Sequence, residues 1–112
     1  MNDQNTRSVF VTQEVRAGRI DYTPAREFGA LKFITMMDFS SENDSIMNEV
    51  LINEIRTKLI EFNFNDDYIV ITGSPLVSAA VFMVLRERTH RVNVLRWSNQ
   101  SHTYTPVNIN LM

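Results

Sequence analysis

The stretch DYIVITGSPLVSAAVFMVL, residues 67–85, decides the fold. Residues 67–72 are a short apolar run rich in β-branched side chains and without alternation, the pattern of a strand covered on both faces. Gly73 interrupts the run, Ser74 is a favoured N-cap and Pro75 a favoured first helical residue, so a helix should follow at once. From Pro75 to about Arg88 that helix is apolar nearly all round, which calls for burial on most sides by the sheet and by another helix or a partner chain.

Working outward, the same alternation of strand and helix repeats. ALKFITMM (30–37) reads as a strand and DFSSEND as the turn after it. Ser41 and Asp44 have capping-box spacing and predict a helix start. Beyond them Met47, Val50, Leu51, Ile55, Leu59 and Phe62 recur at steps of three and four, with Glu49, Lys58 and Glu61 off that face. The asparagines and aspartates of FNFNDD (62–67) end the period. Downstream, VNVLRW (92–97) and TYTPVNI (103–109) flank SNQSH and predict a hairpin, with Pro106 placing the last strand at an edge. Upstream, SVFVTQEV (8–15) reads as one more strand, joined to the rest by the long connection RAGRIDYTPAREFG (16–29).

The order β-β-α-β-α-β-β therefore predicts a single small α/β domain over residues 1–112, with residues 1–7 disordered. Its heart is a largely parallel, Rossmann-like βαβαβ unit with right-handed crossovers. The N-terminal strand and the C-terminal β-hairpin are expected as antiparallel additions. If the three parallel strands lie in sequence order, both helices cover one face, and the other face calls for a partner; a homodimer or larger homo-oligomer is the expectation.

Composition narrows the chemistry. The 112 residues include no cysteine, so disulfide scaffolds, thiol nucleophiles and thiolate metal sites are excluded. The N-terminus lacks the pattern of a secretion signal and no apolar run spans a bilayer, which points to a cytoplasmic protein without membrane contact. The net charge of −2 conceals an asymmetry. Residues 38–67 are strongly acidic, whereas Arg86, Arg88, Arg91 and Arg96 follow one another in a short basic stretch.

Ligands of open α/β sheets settle beyond the carboxyl ends of the strands, which here gathers Asp38, Thr72, Gly73, Ser74, Arg96 and Trp97 into a candidate site. Gly73 permits close approach and the helix N-terminus favours an anion. Plain capping is the simpler reading of TGSP, since the glycines of a dinucleotide fingerprint and the glycine-lysine pair of a P-loop are absent, and a nucleotide- or phosphate-ligand site at Gly73 and Ser74 is the alternative to it. His90 and His102 have no carboxylate at metal-ligand spacing, G-x-S-x-G is absent, and Asp66 and Asp67 stand where a helix must end. No catalytic residue, metal or cofactor is assigned, and the chain reads as a binding protein more readily than as an enzyme. A single-stranded nucleic acid is the alternative ligand: Arg86, Arg88, Arg91 and Arg96 would meet phosphates while Trp97 and Tyr104 stack on bases. Trp97 and Tyr104 could equally face each other across the hairpin.

Asp67 and Tyr68, the apolar strand, Gly73 with a small polar residue and Pro75, the apolar helix, Val92 to Trp97, Gln100, Tyr104 and Val107 together resemble short, uncharacterised α/β proteins encoded by tailed bacteriophages. Val9 to Glu14 and Ala25 to Gly29 fit the same pattern, so the resemblance spans most of the chain. The family pattern carries an aspartate where Ser74 stands and another acid where Ser98 stands; both departures remove charge and weaken any acid-catalysis reading. The resemblance implies an accessory factor working in the infected host's cytoplasm, acting on a host or phage protein or by self-assembly. It implies no reaction.

Overall fold

A computed structural model describes residues 7–15, 20–42 and 45–111. The strands are β1 (Ser8–Val11), β2 (Ala30–Phe33), β3 (Tyr68–Val70), β4 (Arg91–Ser98) and β5 (Thr103–Asn110), and the helices α1 (Ile46–Leu59) and α2 (Pro75–Arg86). The expected α/β order is present, with a short 3-10 helix, Thr23–Glu27, added inside the long connection. All five strands form one sheet in the order β2-β1-β3-β4-β5. The first four are parallel, and β5 returns antiparallel to β4.

The place of β1 corrects the sequence reading. It is no antiparallel addition: it lies between β2 and β3, parallel to both, and so breaks the sequential order expected of the three later parallel strands. The reason is local. All four residues of β1 are buried, Phe10 toward one face and Val9 and Val11 toward the other, and only an interior strand hides both faces. The polar residues that made SVFVTQEV look half-exposed lie past its end, where Thr12 and Gln13 turn inward and are themselves buried.

Both helices cover one face, as expected. There Phe10, Ile69 and Val94 meet Leu51 and Ile55 of α1 and Val77 and Val81 of α2. The opposite face is not left open: residues 20–29 of the connection fold across it. Ala25 is buried against Val9, Val11, Val70 and Leu95, while Tyr22 packs edge-on against Phe33 and Phe28 against Tyr68. The chain thus supplies its own third layer where a partner was expected. Gly29 ends this layer; a Cβ there would stand 2.5 Å from the Arg7 carbonyl oxygen.

Two helical details also differ. Ser45 occupies the N-cap of α1, so the helix starts later than the Ser41 spacing suggested; Asp44 lies outside the described residues. Met47 and Val50 are exposed, while Leu51, Ile55, Leu59 and Phe62 are buried as their period requires. On α2, Leu76, Ala79 and Met83 form an exposed flank, because the sheet and α1 cover only the other sides. At the opposite end, Asp67 is buried and structural. Its carboxylate accepts hydrogen bonds from the Ser8 and Asn63 amides at 2.8 and 2.9 Å, tying the end of the α1 connection to the start of β1.

Candidate functional site

The turn between β3 and α2 is built as the sequence required, and it is already filled. Gly73 has φ +83°, a left-handed conformation that glycine adopts without strain. Ser74 occupies the N-cap with Pro75 as the first helical residue. The Gln13 side chain lies against this turn: its Oε1 accepts a hydrogen bond from the Ser74 amide at 2.7 Å, and its Nε2 donates to the Met37 carbonyl at 2.8 Å. A Cβ at Gly73 would fall 1.9 Å from that same Oε1. The close approach that Gly73 allows is therefore used by a side chain of β1's own extension, and the amide at the turn is satisfied within the chain.

Thr72 is equally committed. Its amide donates to Thr12 Oγ1 at 3.0 Å, its carbonyl accepts from the same hydroxyl at 2.9 Å, and its own hydroxyl donates to the Gln13 carbonyl at 2.7 Å. The Ser78 hydroxyl reaches Thr12 Oγ1, and the Tyr22 hydroxyl stands 3.4 Å from Thr72 Oγ1. These bonds join the carboxyl ends of β1 and β3 across a buried polar cluster whose members satisfy one another. Asp38 sits nearby in the loop after β2, exposed, with its carboxylate accepting from the Phe39 amide.

What remains open lies beside this cluster, on β4 and β5. Ile20, Ile71, Leu95, Trp97, Tyr104 and Ile109 help to wall a concavity of about 710 Å³ that also takes in Asp21, Thr72 and Arg96. Alternation along β4 puts Leu95 and Trp97 on the opposite face from Val94 and Arg96, so the walls draw on both sides of the ribbon. Trp97 and Tyr104 are direct cross-strand partners, their rings edge to face with centroids 5.0 Å apart. Trp97 remains 40% exposed and donates through Nε1 to Asn99 Oδ1, while the His102 ring stands edge to face with it at 6.1 Å between centroids. Burial raises the Tyr104 phenol above its ordinary range, with Tyr22 and Asp21 pushing in the same direction. Asp21 is itself held low by hydrogen bonds from the Thr23 hydroxyl and amide. The Arg96 side chain is exposed and its guanidinium has no hydrogen-bond or ion-pair partner among the described residues.

The four arginines of the basic stretch are not gathered on one surface. Arg88 donates to the Leu59, Ile60 and Phe62 carbonyls and so closes the carboxyl end of α1. Arg91, at the amino end of β4, bonds Asn65 Oδ1 and lies over the Phe64 ring. Arg86 is exposed at the end of α2. Arg96 and Trp97 stand five and six residues further along β4 than Arg91, about 17–20 Å at strand rise. Of the sequence-selected residues, then, the fold brings Thr72, Arg96, Trp97 and Tyr104 to one concavity and leaves Arg86, Arg88, Arg91 and Asp38 elsewhere. Gln13, Thr12, Tyr22 and Asp21 complete the region and were not singled out. The one signal for the first two was a pair of polar residues directly after the apolar run SVFV.

Among the described residues no group of three or more histidines, aspartates or glutamates is placed to hold a metal ion, and no helix is long and apolar enough to cross a membrane. No curated protein and no solved structure matches the chain. A family profile does match, over residues 7–111, which takes in every strand and helix described above. By that match the chain belongs to the family of Phage Pam3 gp32-like proteins.

Proposed function

We propose that this chain is a non-enzymatic phage accessory protein that works by binding a host or phage macromolecule, with the open end of the β4–β5 ribbon as its contact surface. The observation that carries this reading is the contrast at the carboxyl ends of the strands. Thr72 and the Ser74 amide spend their hydrogen bonds on Thr12 and Gln13, whereas Ile71, Trp97 and Arg96 stay exposed around an apolar concavity. Tryptophan, tyrosine and arginine are the residue types enriched among those that carry the binding energy of protein interfaces.

The test is capture from infected-cell extract on the immobilised chain, with Trp97→Ala and Ile71→Asp beside the wild type. A partner retained by the wild type and lost by both variants at unchanged melting temperature supports the reading. An identical retained set for all three overturns it. Single-stranded nucleic acid stays as the second reading because Arg96 and Trp97 are adjacent and exposed. With Arg88 and Arg91 committed internally and Arg86 outside the concavity, Arg96 leaves about one phosphate contact beside Trp97, hence a log-log salt slope of only about −0.7 for single strands. A steeper slope would show that other cations take part.

A further inference from the structure

At the amino ends of the parallel strands, away from the Trp97 concavity, the layer formed by residues 20–29 leaves a second opening. There β1, β2 and β3 begin side by side, and the connection enters β2 through Gly29. The Gly29 amide donates to the Arg26 carbonyl at 3.4 Å, and the next amide, that of Ala30, donates to the Arg7 carbonyl at 3.1 Å. Arg7 and Arg26, distant in sequence, are thus brought together by their main chains around one glycine. Both border an open cleft of about 1030 Å³ whose walls include Phe28, Leu31, Phe33 and Tyr68. Those four side chains are half-buried, and the two arginines are exposed.

The charges of this cleft are unbalanced. Lys32, Arg56, Arg88 and Arg91 are each engaged by a carboxylate, a carbonyl or an amide oxygen. The guanidiniums of Arg7 and Arg26 have no hydrogen-bond or ion-pair partner among the described residues. Asp67, next to Tyr68 in the chain, spends its carboxylate on the Ser8 and Asn63 amides, and Glu27 is the acid that borders the cleft. Two cations therefore face one anion, a surplus that suits a ligand of low negative charge. The walls are aromatic: Phe28 meets Tyr68 edge to face with centroids 5.4 Å apart, and being half-buried both keep apolar surface open.

We propose that this cleft binds a nucleoside phosphate, as a free nucleotide or as a unit of a single strand, with the phosphate on Arg7 and Arg26 and the base against Phe28 and Tyr68. Guanidinium forks match phosphate oxygens in charge and in geometry. Aromatic side chains take any base through its π face. Inorganic phosphate would use the arginines and leave the rings in water, and an acidic peptide would bring charge without a planar group for them. Glu27 works against ligands that crowd several phosphates together and leaves a mono- or diester favoured. The site lies at the opposite end of the strands from the proposed contact surface around Trp97, so either can fail without the other.

The experiment is an amide-resolved NMR titration of the full chain with adenosine monophosphate, adenosine, inorganic phosphate, a tetraglutamate peptide and a short oligoadenylate. Adenosine monophosphate should move the amides of Arg26, Gly29, Ala30 and Tyr68 and leave those of Trp97 and Tyr104 in place. Adenosine and inorganic phosphate should each bind at least about tenfold more weakly, since each makes only half of the contacts. Arg7→Gln and Arg26→Gln change exposed side chains, so both variants should keep the wild-type melting temperature and each should lose about tenfold in affinity, the scale of one charge-assisted hydrogen bond. Oligoadenylate binding the same amides more tightly than the monophosphate assigns the site to strands, weaker binding assigns it to free nucleotides, and both sustain the proposal. No shifts at the cleft, shifts confined to the Trp97 hairpin, phosphate or tetraglutamate binding as tightly as the monophosphate, or unchanged affinity in the two variants would each overturn it.

Discussion

At the level of single residues, Gly73 shows what the sequence could and could not convey. Its place before a serine and a proline marked a strand-to-helix turn, and the turn is there; that Gln13 would fill it depends on β1 lying next to β3, which no local pattern expresses. Gly73→Ala should destabilise by about 2–4 kcal/mol in urea titration, since it combines left-handed strain with displacement of a buried amide from its partner. Gln13→Ala should cost about 1–3 kcal/mol for the lost bonds to Ser74 and Met37. A Gly73→Ala loss no larger than that of an exposed substitution would contradict the filled turn. Tyr104 gives a pH prediction. Its phenol is raised by burial in the folded chain, so any contribution is complete below the unfolded value of about 10 and is lost as pH rises through the folded one. The wild type should lose urea resistance above about pH 10 more steeply than Tyr104→Phe, which has no proton to release. Parallel curves for the two would remove Tyr104 as the cause.

Among the elements, helix periods were the easiest to read and helix ends the hardest. Leu51, Ile55, Leu59 and Phe62 are buried as their spacing demanded, because that face has only one place to go. Met47 and Val50 share the period and are exposed all the same, since the first turn of α1 reaches beyond what α2 and the sheet cover. The carboxyl end of α1 is held from outside the helix. Arg88, 29 residues beyond Leu59, supplies donors to three carbonyls, where favourable charge at the negative end of the helix dipole adds to the hydrogen bonds. A sequence reading that saw only a basic stretch assigned this residue to phosphates. Arg88→Ala should lower stability by about 1–2 kcal/mol in a denaturant titration. Arg88→Lys should recover only part of it, because one ammonium cannot span carbonyls that a planar fork reaches together. Full recovery by lysine would mean that charge alone matters.

For the molecule as a whole, the decisive feature is the central position of β1, and it separates two pictures of how the chain is held together. Element identity was legible because each strand and helix carries its own period; strand order was not, since the short apolar run SVFV fits an outer or an inner position and the polar residues after it suggested the outer one. In the fold, β1 is gripped on all sides. Val9, Phe10 and Val11 are at most 2% exposed, Ser8 donates to Asp67, and Thr12 and Gln13 bind Thr72, Ser74 and Met37. Full burial of three such apolar side chains is worth about 5–8 kcal/mol in all, comparable to the whole stability of a small domain. A chain that begins at Gln13 should therefore show no cooperative thermal transition and little of the native circular dichroism, since β2 would lose its only neighbour in the sheet and β3 one of its two. Were β1 an outer addition, the same truncation would lower the melting temperature and leave a cooperative transition in place, so persistence of that transition would refute the central position.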